Sequence, residues 1–153
     1  MFDLNLPECG LKLRKFNGKQ QVFDVLRKKF VALTPEEWVR QHFISFLIQH
    51  KGYPPGRMVN EAEIFVNGQK RRCDTVVYDE FLQPLVVLEF KAPEVVISQS
   101  VFNQISAYNF QLKVPVLIIS NGKHHYCCRM DGEKMSYVFE SNIPDYSVIT
   151  KTP

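Results

Sequence analysis

Leu85-Val86-Val87-Leu88-Glu89-Phe90-Lys91 is the stretch whose reading decides the fold. Its apolar run predicts a strand buried on both faces near the middle of a sheet, and Pro93 ends it. Glu89 and Lys91 break the run two positions apart, on one face of that strand. Burying an acid and a base there is costly unless they pair or bind an ion. Asp74 poses the same problem in Arg71-Arg72-Cys73-Asp74-Thr75-Val76-Val77-Tyr78. If these two strands pair as a hairpin, Asp74 approaches Glu89, and two carboxylates converge with a lysine. Carboxylates a few ångströms apart favour a divalent cation, and a neighbouring ammonium can position or deprotonate water.

Working outward, Asn67-Gly68 turns a strand over Glu61 to Val66 into the Asp74 strand, and a loop through Asp79-Glu80 and Gln83-Pro84 joins that to the Glu89 strand. Upstream lies the clearest helix, from Pro35 to about Lys51. Thr34 suits the N-cap, Pro35 the first turn, and Glu36 and Glu37 the positive end of the dipole; Val39, Phe43, Phe46 and Leu47 recur at helical spacing. Downstream, Ser98 to Leu112 carries Val101, Ile105, Tyr108 and Leu112 on one helical stripe. Val114 to Ile119 reads as a buried strand, and His124 to Met130 and Lys134 to Phe139 as two more. At the N-terminus, Leu11 to Phe16 and Lys19 to Phe23 flank Asn17-Gly18 as a hairpin. Asp24 to Val31 reads as either a helical turn or an edge strand, and the polar tail from Ser141 as a surface meander. The expected fold is α+β on a mixed sheet, with core order α-β-β-β-α-β. One domain spans residues 1–153: hairpin about 11–31, core about 33–121, C-terminal strands and tail about 122–153.

Composition narrows the function classes. With 153 residues, 45% hydrophobic and 23% charged, the chain can bury about 70% of its unfolded surface without disulfides or structural metal. No apolar run approaches the ~18 residues of a membrane span, and Met1 to Pro7 lacks the pattern of a signal peptide, so a cytoplasmic location and no membrane partner are expected. Cys9, Cys73, Cys127 and Cys128 form no Cys-x-x-Cys pair. In His124-His125-Tyr126-Cys127-Cys128 adjacent side chains point to opposite strand faces, so reduced thiols rather than zinc are expected. Nineteen Lys+Arg against sixteen Asp+Glu give a net charge of +3, unevenly laid out. Seven basic residues lie between Lys12 and Lys29 against one acid, Asp24, and Lys70-Arg71-Arg72 forms a second cluster. Each is a candidate set of DNA backbone contacts and equally a candidate solvated surface.

Asp74 followed fifteen positions later by Glu89-Phe90-Lys91 resembles the Asp…Glu-x-Lys core of PD-(D/E)XK nucleases. More narrowly, Thr34-Pro35-Glu36-Glu37-Trp38-Val39-Arg40-Gln41, Arg72-Cys73-Asp74, Glu89-Phe90-Lys91-Ala92-Pro93 and Gln104-Ile105-Ser106-Ala107-Tyr108-Asn109 resemble the N-terminal nuclease domain of type I restriction enzyme R subunits. Asn121-Gly122, here after Ser120, resembles a Thr-Asn-Gly turn of that family. The likeness runs from about Leu33 to Asn121. It implies an Mg²⁺-dependent DNA endonuclease, with Mn²⁺ as a substitute and no nucleotide. Asp74 and Glu89 would ligate the metal and Lys91 would orient the attacking water. Gln104 would position the lysine or the water, and Tyr108 would support the same site. The first helix would add a glutamate. Glu36 is favoured because it aligns with Val39 and Phe43, while Glu37 aligns with Gln41 and Ile44; both are carried. Lys70, Arg71, Arg72 and Arg40 are the DNA-contact candidates. The sequence departs from the family in having Cys73 where the motif's name has proline. It also lacks a Gly-x-x-x-x-Gly-Lys-Ser/Thr loop, so ATP hydrolysis is not expected here, and a separate motor or specificity protein, or a second copy of the chain, is the partner implied.

Each element also has a plainer account. Glu89 with Lys91, or Asp74 with Arg72, could be ordinary ion pairs; Gln104 could bridge backbone groups; Arg40 could form a helix-surface salt bridge. A non-catalytic nucleic-acid-binding or complex-assembly module is the alternative function, and a structural partner docking through exposed strands is a third.

Overall fold

A computed structural model describes residues 2–131, 133–134 and 136–151. Its order is β1 (Leu13–Phe16), β2 (Lys19–Asp24), β3 (Lys29–Ala32), α1 (Pro35–His50), a 3₁₀ turn (Pro55–Arg57), β4 (Met58–Val66), β5 (Gln69–Tyr78), β6 (Pro84–Phe90), α2 (Gln99–Leu112), β7 (Val116–Ser120), β8 (His125–Asp131), β9 (Ser136–Glu140) and α3 (Tyr146–Thr150). Strands β4 to β9 form one six-stranded mixed sheet in sequence order; β1 to β3 form a separate antiparallel sheet. Among the described strands only β6 and β7 run parallel, and α2 makes the crossover between them.

The two helices cover opposite faces of the large sheet. Val39, Phe43, Ile44 and Leu47 of α1 pack with Val86, Leu88, Phe90 and Ile118. Leu112 of α2, with the partly buried Phe102, Ile105 and Tyr108, packs with Val76, Val87, Leu117 and Ile119. Strands β6 and β7 are therefore buried from both sides, as their unbroken apolar runs require. Thr34 caps α1 by accepting the Glu37 amide at 3.0 Å, and Ser98 caps α2 by accepting from Val101 at 3.2 Å. Cys127 and Cys128 enter opposite cores, as strand alternation demands.

One open reading is resolved and two change. The segment after Asp24, read as either a helical turn or an edge strand, is a turn followed by an edge strand, which makes the N-terminal hairpin a three-stranded meander. The first strand of the large sheet begins at Met58, three residues before Glu61. The tail is not a surface meander throughout: α3 docks, with Ile149 only 2% exposed and the Tyr146 hydroxyl donating to the Tyr78 carbonyl at 3.0 Å. No helix among the described residues is long and apolar enough to cross a membrane.

The turn after β7 explains its glycine. Gly122 has φ +85°, and a Cβ there would lie 2.6 Å from Leu4 Cδ2. The N-terminal arm crosses at this point, with the Asn5 amide donating to the Gly122 carbonyl at 2.8 Å, and the positive φ beside that close approach favours glycine.

Candidate active site

Strands β5 and β6 pair antiparallel with Thr75 opposite Leu88 and Val76 opposite Val87. One step along this register, Asp74 comes opposite Glu89. An Asp74 carboxylate oxygen accepts the Phe90 amide at 2.8 Å, which anchors it at the end of β6. The Glu89 carboxyl is pushed up to about 9: burial is the first cause, followed by the charge of Asp74 and a hydrogen bond with its side chain, while Lys91 pulls the other way. The sheet thus holds two acids together, with the ammonium of Lys91 near enough to act on one. The Lys91 amide donates to the Ser120 carbonyl at 2.9 Å, so β7 fixes the backbone from which that lysine springs.

Asp74 sits where the alternation of two strands reverses. On β4, Met58 enters the α1 core, whereas Ala62 and Ile64 enter the α2 core. On β5, Cys73 enters the α2 core and Val77 the α1 core, although both positions are odd-numbered. Between them, Glu61 adopts φ +54°. A non-glycine residue in that region costs about 1–3 kcal/mol and persists only where its surroundings hold it. Glu61 is held by Arg40 at 2.8 Å and by Arg72 at 2.8 Å. Its carboxyl consequently lies below the ordinary range, burial being outweighed by these two guanidinium groups. The sequence reading passed over Glu61.

Helix α1 supplies Glu37, not Glu36, to the interior. Glu37 is 6% exposed, while Glu36 is exposed. The buried face of α1 is wider than a stripe through Val39 and Phe43 and includes Arg40, Gln41 and Ile44. The preference for Glu36 is corrected accordingly. Glu37 accepts from Arg27 at 3.0 Å, from Arg40 at 2.6 Å and from the Gln41 amide at 2.9 Å.

Arg40 is also corrected as a DNA-contact candidate. It is 7% exposed, with its guanidinium turned inward onto Glu37, Glu61 and the Asp74 carbonyl, the last at 2.8 Å. Burial opposes its charge, but Glu37 and Glu61 more than compensate and raise its proton affinity further. A residue so committed fixes the backbone of Asp74 instead of meeting phosphate. Lys70 and Arg72 remain at the surface. Lys70 pairs with Glu63 at 2.9 Å, and Arg71, half-buried, lies 5.4 Å from the Tyr108 ring.

Helix α2 comes to the site through Tyr108, whose hydroxyl donates to the Arg72 carbonyl at 3.4 Å, a weak bond. Gln104 is exposed on the same helix, and its side chain makes no hydrogen bond among the described residues. Asn121 shapes the neighbouring turn, its carbonyl oxygen accepting from the Lys123 and His124 amides at 3.0 and 2.8 Å.

A cleft of about 210 Å³ opens beside Asp74, lined by Thr34, Glu36, Glu37, Arg40, Glu61 and Phe90. The larger cavity, about 660 Å³, lies against the other flank of α1 and includes Gln41 and Met58 but none of Asp74, Glu89 or Lys91. Of these three residues the small cleft includes Asp74 and neither Glu89 nor Lys91. No group of three or more His, Cys, Asp or Glu able to hold a metal ion occurs among the described residues. The donor set at the sheet is two carboxylates. That number suits Mg²⁺, which keeps several waters and is held through one or two carboxylates plus phosphate oxygens.

Comparison with solved structures gives a fragment attributed to an HsdR subunit of a type I restriction enzyme from Vibrio vulnificus YJ016, with TM-score 0.55 and 17% identity over 78% of this chain. The chain spans 25% of the length of that solved chain, and the likeness is one of fold. A DrdV–DNA complex solved by cryoEM gives TM-score 0.46 and 15% identity, over 77% of this chain and 12% of the other. Comparison with curated proteins gives no match. The model of the type I restriction enzyme R protein N terminus matches residues 35–144, from the first turn of α1 to the approach to α3, and the chain belongs to that family.

Proposed function

We propose that this domain is a metal-dependent DNA endonuclease of the restriction endonuclease-like fold, with Asp74, Glu89 and Lys91 at its centre. The observation that carries the reading is the placement of Asp74 opposite Glu89, with the Glu89 carboxyl pushed up to about 9. Two acids kept this close without a cation between them are a destabilising arrangement that metal binding relieves. Bound Mg²⁺, or Mn²⁺ in its place, would polarise a phosphoryl oxygen and make a bound water more acidic. Asp74 and Glu89 present the oxygens for that ion. Lys91 orients the attacking water and offsets charge developing on the phosphate. Arg40, through the Asp74 carbonyl, and the Phe90 amide, through the Asp74 carboxylate, keep the acid in position. Gln104 and Tyr108 on α2 flank the substrate side, and Lys70 to Arg72 provide backbone contacts to DNA. The whole restriction–modification assembly, with a motor or specificity protein, is the setting proposed for this activity.

The test is cleavage of supercoiled plasmid by the purified domain with Mg²⁺ or Mn²⁺. Nicking or cutting that disappears in Asp74→Ala and Lys91→Ala supports the reading, and equal activity in all three proteins contradicts it. The cleft beside Asp74 takes in neither Glu89 nor Lys91, which favours one competing reading, a DNA-binding or assembly module that keeps the fold without turnover. That module would bind DNA and cut nothing in either metal.

A further inference from the structure

The small N-terminal sheet has two unlike faces. Paired positions share a face, and faces alternate along each strand. Leu13 pairs with Val22, Val22 with Val31, and Asp24 with Lys29. On that face Val22 and Asp24 are fully buried, and Asp24 accepts from the Asn60 side chain of β4 at 2.9 Å. Asn60 in turn accepts from Thr75, the neighbour of Asp74, at 2.7 Å. This face is therefore fastened to the large sheet.

The opposite face looks outward. Arg14 pairs with Gln21, Phe16 with Lys19 and Phe23 with Phe30, and the Phe23 amide donates to the Lys12 carbonyl. Three cations, Lys12, Arg14 and Lys19, are thus interleaved with three rings, Phe16, Phe23 and Phe30. No acid occupies any position on this face. Arg14 lies 5.0 Å from the Phe16 ring and 3.9 Å from the Phe30 ring, and Lys12 lies 5.5 Å from the Phe23 ring. Lys12, Arg14 and Lys19 are exposed, and Phe16 is 53% exposed.

We propose that the outer face of the β1–β2–β3 sheet is a platform for single-stranded DNA, with bases stacking on the phenylalanine rings and phosphates meeting Lys12, Arg14 and Lys19. A solvated face needs cations but has no use for a ring as open as Phe16, set beside the partly buried rings of Phe23 and Phe30. A duplex backbone needs cations but cannot reach a ring with its stacked bases. Unpaired nucleotides use both, because every base has a π-face and every linkage a negative charge. An acidic protein partner would satisfy the cations and leave the rings idle. The platform stands apart from the Asp74–Glu89 centre and does not depend on that centre cleaving anything. Its other side is fastened to β4 through Asp24 and Asn60.

The test is fluorescence anisotropy of a labelled twenty-nucleotide oligothymidylate, with EDTA present to prevent cleavage, against a duplex of equal length and against polyglutamate. The expected result is tighter binding of the single strand than of either competitor, with log affinity falling against log salt at a slope of about −2 for three phosphate contacts. Phe16→Ala is expected to weaken the single strand about tenfold, and Arg14→Glu to weaken it further, each at unchanged circular dichroism. Both residues are exposed, so neither substitution removes a core contact. Lys151→Glu, at an exposed position outside both the platform and the Asp74–Glu89 centre, is expected to leave oligothymidylate binding unchanged. Absence of single-strand binding at low salt, equal binding of duplex or polyglutamate, or unchanged binding by Phe16→Ala would each overturn the proposal. Plasmid cleavage is a separate measurement, so losing one activity while keeping the other shows which reading has failed.

Discussion

Two clusters of buried charge lie side by side in this molecule, and they are built on opposite principles. Around α1, Glu37, Glu61 and Asp24 each meet a guanidinium: Arg40 and Arg27 on Glu37, Arg40 and Arg72 on Glu61, Arg27 on Asp24. Every acid there has its cation, and the carboxyls of Asp24 and Glu61 lie low because those bonds outweigh burial. Across the β5–β6 ladder, Asp74 and Glu89 meet each other, and Glu89 is pushed up by burial and by Asp74. The first cluster is complete in itself and holds the fold. The second has two acids against the one cation of Lys91, which is why it is the centre of the proposed metal site.

The largest expected effect breaks the complete cluster. Arg40→Ala leaves Glu37 buried beside Arg27 alone and frees the Asp74 carbonyl, which is expected to cost about 3–5 kcal/mol in urea denaturation. The Asp74–Glu89 cluster should respond the other way. Asp74→Ala should lower plasmid cleavage by about 10²–10³-fold while leaving stability nearly unchanged, because it also removes a repulsion. A loss of stability as large as that of Arg40→Ala would make the two clusters the same in kind.

The pH dependence sharpens the contrast. A folded-state pKa of about 9 for Glu89 lies above the unfolded value near 4.5, so the folded state holds the proton more tightly. The contribution is fully present below about 4.5 and is lost as pH rises toward 9. Wild type should therefore lose stability relative to Glu89→Gln across this window, read from denaturation midpoints at a series of pH values. Asp24 and Glu61, held low, contribute stability above their unfolded values that is lost as pH falls through their folded ones, so they shape only the acid limb. The smallest effect is Arg72→Ala. Its side chain is 71% exposed and Glu61 keeps Arg40, so a change of less than about 1 kcal/mol is expected.

The sequence made the second cluster easier to read than the first. A charge inside Val86-Val87-Leu88-Glu89-Phe90-Lys91 stands out against apolar neighbours, and strand alternation places it on a face without further information. Helices α1 and α2 were equally plain, the first from its Thr34 cap and apolar spacing, the second from the stripe through Val101, Ile105, Tyr108 and Leu112. Glu36 against Glu37 could not be settled by periodicity, since α1 is covered both by the large sheet and by the turn that carries Arg27, which widens its buried face. Arg40 reads as a surface cation until Glu61 arrives from β4, an encounter between residues 21 apart in sequence. Glu61 itself was invisible because a positive φ in a non-glycine residue leaves no compositional trace. Helix α3 was hidden by its brevity: five residues with one fully buried side chain carry too little periodicity to detect.

The central claim is that Asp74 and Glu89 form a divalent-metal site, and calorimetric titration of Mg²⁺ or Mn²⁺ into wild type and Asp74→Asn at neutral pH tests it most directly. The predicted result is saturable binding to wild type, accompanied by release of about one proton as Glu89 ionises and detectable by repeating the titration in buffers of different ionisation heat, with both signals lost in Asp74→Asn. Indistinguishable titrations of the two proteins, or the absence of binding to wild type, would contradict it.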